Sequence, residues 1–456
     1  MAWLVLAAIW AMWMRGPGAP CGEPEQHVAR QRLTAAGGIA TVDVSADGRV
    51  VAFVSLARLT AADDNTMEDI YVLDRTTGTI TLESIGANGR APDGSSQHPR
   101  VSADGRVVVF STVAMSLIGA RGETVDSQVL RRDRTTGVTT LVSHTPAGMP
   151  GNGWSGVPDI SDDGRLVVFE SHATDLVAGL DGNHGGSDIY LFDAADGALR
   201  RVSVTSAGEQ PASGNSATPA ISGTGRVVAF SSTAPLDGPA GQVERREARR
   251  DVFVRDLESG VTRRISLSRD RHGANGDSYY PAISADGRRV AFVSTATNLD
   301  DDARATRQEN VYLYDDRAPG LRLLSRSESG GPADGASRHP AVSADGRYVL
   351  FSSTASNLHC TDRCGPSADL NLVADIYRVD TVTGIADRIS GGSFAREPWW
   401  NASSGVSSDG TGRVVAFSSR EPIDDADLDH DDDLFVDVLP GAAETGAAPC
   451  TPGIGR

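Results

Sequence analysis

Short apolar runs punctuated by turn residues recur along the whole chain, and no stretch of the repeating region sustains a 3.6-residue helical period. The densest run appears seven times: VSADGRVVAFVS from Val44, VSADGRVVVFST from Val101, ISDDGRLVVFES from Ile160, ISGTGRVVAFSS from Ile221, ISADGRRVAFVS from Ile283, VSADGRYVLFSS from Val342 and VSSDGTGRVVAFSS from Val406. The turn serines 45, 102, 161, 222, 284, 343 and 407 are spaced by 57 to 64 residues. A period of this size predicts a repeat architecture.

The fifth copy shows the unit. Pro281 to Ser284 reads as a short strand, Ala285-Asp286-Gly287 as a tight turn, and Arg289 to Ser294 as a second strand apolar on both faces. A polar loop leads to a third strand at Asn310 to Asp315, and a Gly-containing turn to a fourth at Leu321 to Ser325. The third strand returns as DIYVLDRTTG from Asp69, DIYLFDAADG from Asp188, DVFVRDLESG from Asp251 and DIYRVDTVTG from Asp375, while the second copy deviates as SQVLRRDRTTG from Ser127. Such four-stranded antiparallel units predict an all-β, seven-bladed β-propeller over residues 28–440. The last copy has a third strand at Asp433 to Asp437 but a poor fourth, whereas Arg30 to Thr34 resembles a fourth strand. The N-terminal strand is therefore expected to complete the seventh blade and remove the open edges.

The hP-A-[IV]-S-A-D-G-R-x-V-A-F-x-S core and the D-[IV]-[YF]-x-x-D-x-x-[ST]-G strand resemble the PD40 (WD40-like) repeats of TolB-like propellers. TolB itself carries an α/β domain before a six-bladed ring. Here the repeats begin near the N-terminus and number seven, so Tol–Pal binding is not carried over. The resemblance speaks for the fold, since one propeller scaffold hosts many activities.

Composition narrows the function classes. The chain has 60 acidic and 42 basic residues, a formal charge of −18, and no lysine. Nucleic acid is an unexpected partner for such a surface, and Schiff-base or P-loop lysine chemistry is absent. Trp3 to Met14 is an apolar run too short to span a bilayer, which fits a secretory signal over residues 1–20, followed by a linker at 21–27 and a tail at 441–456. A periplasmic or extracellular monomer is expected. Cys360 and Cys364 then read as a local disulfide, and ring closure would bring Cys21 and Cys450 together as a second, with lipidation of Cys21 as the alternative.

The repeated Ser-Ala-Asp-Gly-Arg turns read as structural, because Ser, Asp and Gly each serve a turn. Function is expected where the repeats differ, on the face where second-to-third loops and blade-to-blade connections emerge. The connections hold His98 (after Gln97), Trp154, Tyr279, Tyr280, Arg338, His339, Trp399, Trp400 and Asn401. Flat side chains with a polar handle suit a sugar or peptide at a channel mouth, and packing between blades is the competing expectation. The loops are acidic. Asp425, Asp427, Asp429 and Asp431 alternate as in a Ca²⁺ loop, yet His430 and Val436 stand where an EF-hand needs Gly and Glu. A looser Ca²⁺ site and a solvated acidic rim both fit, and no other cofactor is expected.

There is no G-x-S-x-G, H-E-x-x-H or P-loop sequence. Seven-bladed TolB-like rings also resemble oligogalacturonate lyases, in which channel histidines hold a metal; that resemblance would nominate His98 and His339. The expectation is an exported, non-catalytic propeller binding a protein, peptide or glycan at its loop-rich face, with a polysaccharide lyase or glycoside hydrolase as the alternative.

Overall fold

The computed structural model describes residues 29–33, 39–119, 126–237, 249–300, 307–318, 320–327, 329–358, 374–390, 402–419 and 433–439. The expected signal segment, the expected tail and all four cysteines (Cys21, Cys360, Cys364 and Cys450) lie outside them. Seven four-stranded antiparallel sheets form the blades of a β-propeller, numbered here by their inner strands. These are Ile39–Val44, Ser96–Val101, Ser155–Ile160, Ser216–Ile221, Ser278–Ile283, Ser337–Val342 and Ala402–Ser408. One helical turn, Met115–Ile118, interrupts the β-structure, and among the described residues no helix is long and apolar enough to cross a membrane.

Ring closure follows the sequence expectation. The N-terminal strand Ala29–Leu33 pairs antiparallel with Asp433–Val438 and supplies the outer strand of blade 7. The fourth strand of blade 5 stops at Leu323, two residues short of the expected end.

Each repeated residue has a packing or hydrogen-bonding reason to be there. In blade 1, Ser45 Oγ donates to Asp47 Oδ1 (2.6 Å), which also accepts from Arg49 N (3.0 Å). The same hydroxyl accepts from Val50 N (2.9 Å), so Ser45 and Asp47 between them close the turn. The Asp opening the third strand recurs as an anchor: Asp69, Asp188 and Asp251 accept from Ser84, Ser203 and Ser266 Oγ at 2.5, 2.6 and 2.8 Å. Between the sheets, second-strand Phe53 stacks on third-strand Tyr71, and Phe169 on Tyr190, with the rings about 25° from parallel. Blade 2 pairs Phe110 with Leu130 instead, which is its sequence deviation seen in three dimensions.

The turns also bond blade to blade around the turn-bearing end of the ring. Ala103 N donates to Asp162 O (3.0 Å), Asp162 N to Gly223 O (3.0 Å) and Thr224 N to Ala285 O (3.0 Å). Ala285 N continues to Ala344 O (2.9 Å), Asp345 N to Gly410 O (3.1 Å) and Gly410 N to Ala46 O (2.9 Å). This belt fixes the inner strands as a frame around the central channel.

Candidate functional site: the central channel

Every inner strand breaks register once. In blade 2 the break falls between Gln97 and Arg100, in blade 5 between Tyr279 and Ala282, and in blade 6 between Arg338 and Ala341. Blades 2 to 6 carry an X-Pro pair in the break, where proline has no N–H to give the ladder, while blades 1 and 7 make the same break without a proline. The residue before the proline takes a positive φ in five blades: His98 (54°), Val157 (48°), Thr218 (51°), Tyr280 (50°) and His339 (50°). Valine and threonine rarely tolerate this region, so the frame over-determines the conformation. The bulge places these five residues on the channel wall, around a cavity of 580 Å³.

This geometry sorts the residues expected from sequence. His98, Tyr280 and His339 line the channel. Tyr280 is 45% exposed; its ring lies 5.7 Å from His339 and edge-on to Tyr279 at 5.3 Å. Tyr279 and Arg338 sit one position earlier and turn aside. Tyr279 Oη donates to Glu309, and Arg338 Nε donates to the other carboxylate oxygen of the same residue. Gln97 behaves likewise toward Glu68. Arg338 and Gln97 thereby join neighbouring blades, while the Tyr279–Glu309 bond lies within blade 5. Trp154 is not on the channel wall: it is three residues before the proline-preceding position rather than at it. It lies over Gly156, where an added Cβ would approach Cζ2 to 2.5 Å, and it lines a second cavity of 400 Å³ with Glu68, Gln97, Asp126 and Val113. His98 borders both cavities. Trp399, Trp400, Asn401 and the aspartates 425, 427, 429 and 431 fall outside the described residues.

The electrostatics of the histidines favour the neutral form. Burial, and then Arg100 beside His98 and Arg338 beside His339, lower both imidazole pKa values. His339 Nδ1 is buried without a hydrogen-bond partner among the described residues. His98 Nδ1 meets Ser111 Oγ at 3.1 Å. The two histidines stand on blades 2 and 6 and do not converge, and among the described residues no cluster of three or more His, Cys, Asp or Glu side chains could hold a metal ion.

The sequence reading missed a charged group deeper in the channel. At the inner-strand position paired with the third residue of the second strand, the seven blades carry Asp43, Arg100, Asp159, Ala220, Ala282, Ala341 and Ser407; in blade 7 the turn-serine place falls to Asp409 rather than Ser407. Asp43 accepts from Val101 N (2.8 Å) of blade 2 and from Ser407 Oγ (2.9 Å) of blade 7. Asp159 accepts from Ile221 N (2.8 Å) of blade 4, and its other oxygen faces Arg100 Nε at 3.8 Å. Desolvation pushes both carboxyls up against the pull of Arg100, Asp159 to about 6. The signal lay in aligning the repeats: two acids and an arginine stand where blades 4 to 6 have Ala and blade 7 has Ser407. At the neighbouring strand, burial also raises Glu170, which accepts from Thr218 N at 3.1 Å.

No protein-family profile matches the sequence, and no curated protein matches it. Among solved structures the chain is similar to an oligogalacturonate lyase in complex with manganese, at 13% identity over 90% of this chain and 96% of that one, with a TM-score of 0.52. It is similar to TolB from Acinetobacter baumannii at 17% identity over 68% of this chain and 58% of that one, TM-score 0.39. The β-propeller domain of the Trilobed protease from Pyrococcus furiosus gives 13% identity over 85% and 90%, TM-score 0.49. Likeness at these identities is likeness of fold.

Proposed function

We propose that this protein is an exported binding propeller that holds a protein, peptide or glycan at the loop-rich end of its channel without turning it over. The observation that carries the reading is the ring of proline-preceding residues that presents His98, Tyr280 and His339 to one open cavity. A rigid frame with a few aromatic and polar groups at its mouth suits recognition, because little order must be gained on binding. Trp399, Trp400 and Asn401 are proposed as further members of this face, and the aspartates 425 to 431 as a Ca²⁺-dependent part of it.

One observation favours a second reading as a polysaccharide lyase or glycoside hydrolase. Asp43 and Asp159 flank Arg100 in the channel, and a carboxyl titrating near 6 is suited to general acid–base work at neutral pH. A peptide and glycan array, run with and without Ca²⁺ and read for both binding and product, separates the two. Binding without product, reduced at least 10-fold by Tyr280→Ala, supports the binding module. Product formation abolished by Asp159→Asn establishes the enzyme.

A further inference from the structure

We propose that the channel contains a subsite for a cationic side chain, guanidinium or ammonium, presented by a protein segment whose flanking apolar residues rest on the rim of blades 1 to 3. The inference rests on the channel reading above and specifies its ligand.

Charge selects the guest's sign. On three successive blades the wall carries Asp43, Arg100 and Asp159, while the equivalent positions opposite are Ala220, Ala282 and Ala341. With both carboxylates ionised the cluster carries one net negative charge. Arg100 pairs with Asp159 only at 3.8 Å, beyond hydrogen-bonding reach, and gives one amino group to Pro99 O (3.0 Å), so Asp159 Oδ1 accepts no hydrogen bond from it. Low-dielectric walls focus that potential, and the chain's charge of −18 adds to it at long range. An anionic guest would have to reach Arg100 between two carboxylates.

The rim selects a protein segment over a sugar. Leu180 is 97% exposed, Met149 62%, Val113 46% and Met67 40%. All four lie on second-to-third loops or a blade-to-blade connection of blades 1 to 3, the sector that carries the charged cluster. Val113 continues into the 400 Å³ cavity beside Trp154, which joins the channel wall at His98. Exposed aliphatic side chains around a charged recess match a basic residue flanked by apolar ones. A glycan has no use for them.

The test is fluorescence anisotropy of the full chain with a labelled peptide of alternating leucine and arginine, and the same peptide with citrulline or glutamate replacing arginine. The arginine peptide should bind at least 10-fold tighter than the citrulline peptide, and the glutamate peptide not at all. Asp159→Asn and Asp43→Asn, which keep a hydrogen-bond acceptor, should each weaken arginine-peptide binding at least 5-fold. Arg100→Gln should tighten it, a gain that damaged folding cannot imitate. Glu258→Gln, on the opposite face, should leave it unchanged. Absent binding, weaker binding in Arg100→Gln, or an equal loss in Glu258→Gln would overturn the proposal. Citrulline-peptide binding equal to that of arginine but abolished by Tyr280→Ala would overturn the cationic subsite and leave the channel reading standing. Binding untouched by both Asp159→Asn and Tyr280→Ala would overturn both.

Discussion

Gly105 of blade 2 sits against Val50 of blade 1 so closely that a Cβ on the glycine would lie 2.5 Å from Val50 Cγ2. The contact repeats around the ring, with Gly164 on Val107 and Gly48 on Val414. The Asp-Gly-Arg turn is thus a blade-to-blade joint as well as a hairpin. Gly105 also needs a positive φ, 71°. Gly105→Ala should cost about 2–4 kcal/mol, combining backbone strain with overpacking. Gly78→Ala has a similar φ of 70° but meets nothing within 4 Å, and should cost only about 1–2 kcal/mol. Urea unfolding of the two variants measures the difference, and equal losses would refute the joint.

Blade 3 locks its long loop with a buried arginine. Arg201 pairs with Asp181 at 3.1 Å and Asp188 at 3.2 Å, with the three side chains 12%, 6% and 5% exposed. Burial holds Asp188 near 6 even so. Arg201→Met should destabilise by about 3–5 kcal/mol, since it strands two buried carboxylates. Arg165→Met breaks an exposed pair with Asp193 and should cost under about 1 kcal/mol. Thermal melts of both variants check the contrast.

Asp159 gives a pH signature with a defined sign. Its folded pKa of about 6 lies above the ordinary carboxylate value of 3.8, so the folded state binds the proton more tightly. The resulting penalty is absent below the unfolded value, grows as pH rises from 4 to 6, and is complete above 6. Asp159→Asn should therefore gain about 1–3 kcal/mol relative to the parent at pH 7.5 over its difference at pH 4. A difference that does not change with pH would contradict the recessed, desolvated carboxylate.

The blade count, the strand order and the closing N-terminal strand were legible because the fold is written seven times and copies average out local ambiguity. The channel was legible only in part. Tyr280 and His339 stood out as aromatic or imidazole side chains in a chain poor in both, whereas Asp43 and Asp159 looked like two among many acids. What puts Tyr280 rather than Tyr279 on the wall is the register break of the inner strand, and strand alternation read without it puts the wrong neighbour on the channel. Val157 sits in the same break of blade 3, whereas Trp154 precedes that strand altogether.

The most direct test of the central claim is the affinity of a captured ligand for the parent, Tyr280→Ala and Val382→Ser, measured by calorimetry. Tyr280 stands on the channel wall, while Val382 is a 71% exposed side chain in a turn at the opposite end. A loss of at least 10-fold confined to Tyr280→Ala is the predicted result. Equal affinity in all three proteins, or a loss confined to Val382→Ser, would contradict recognition at the loop-rich end of the channel.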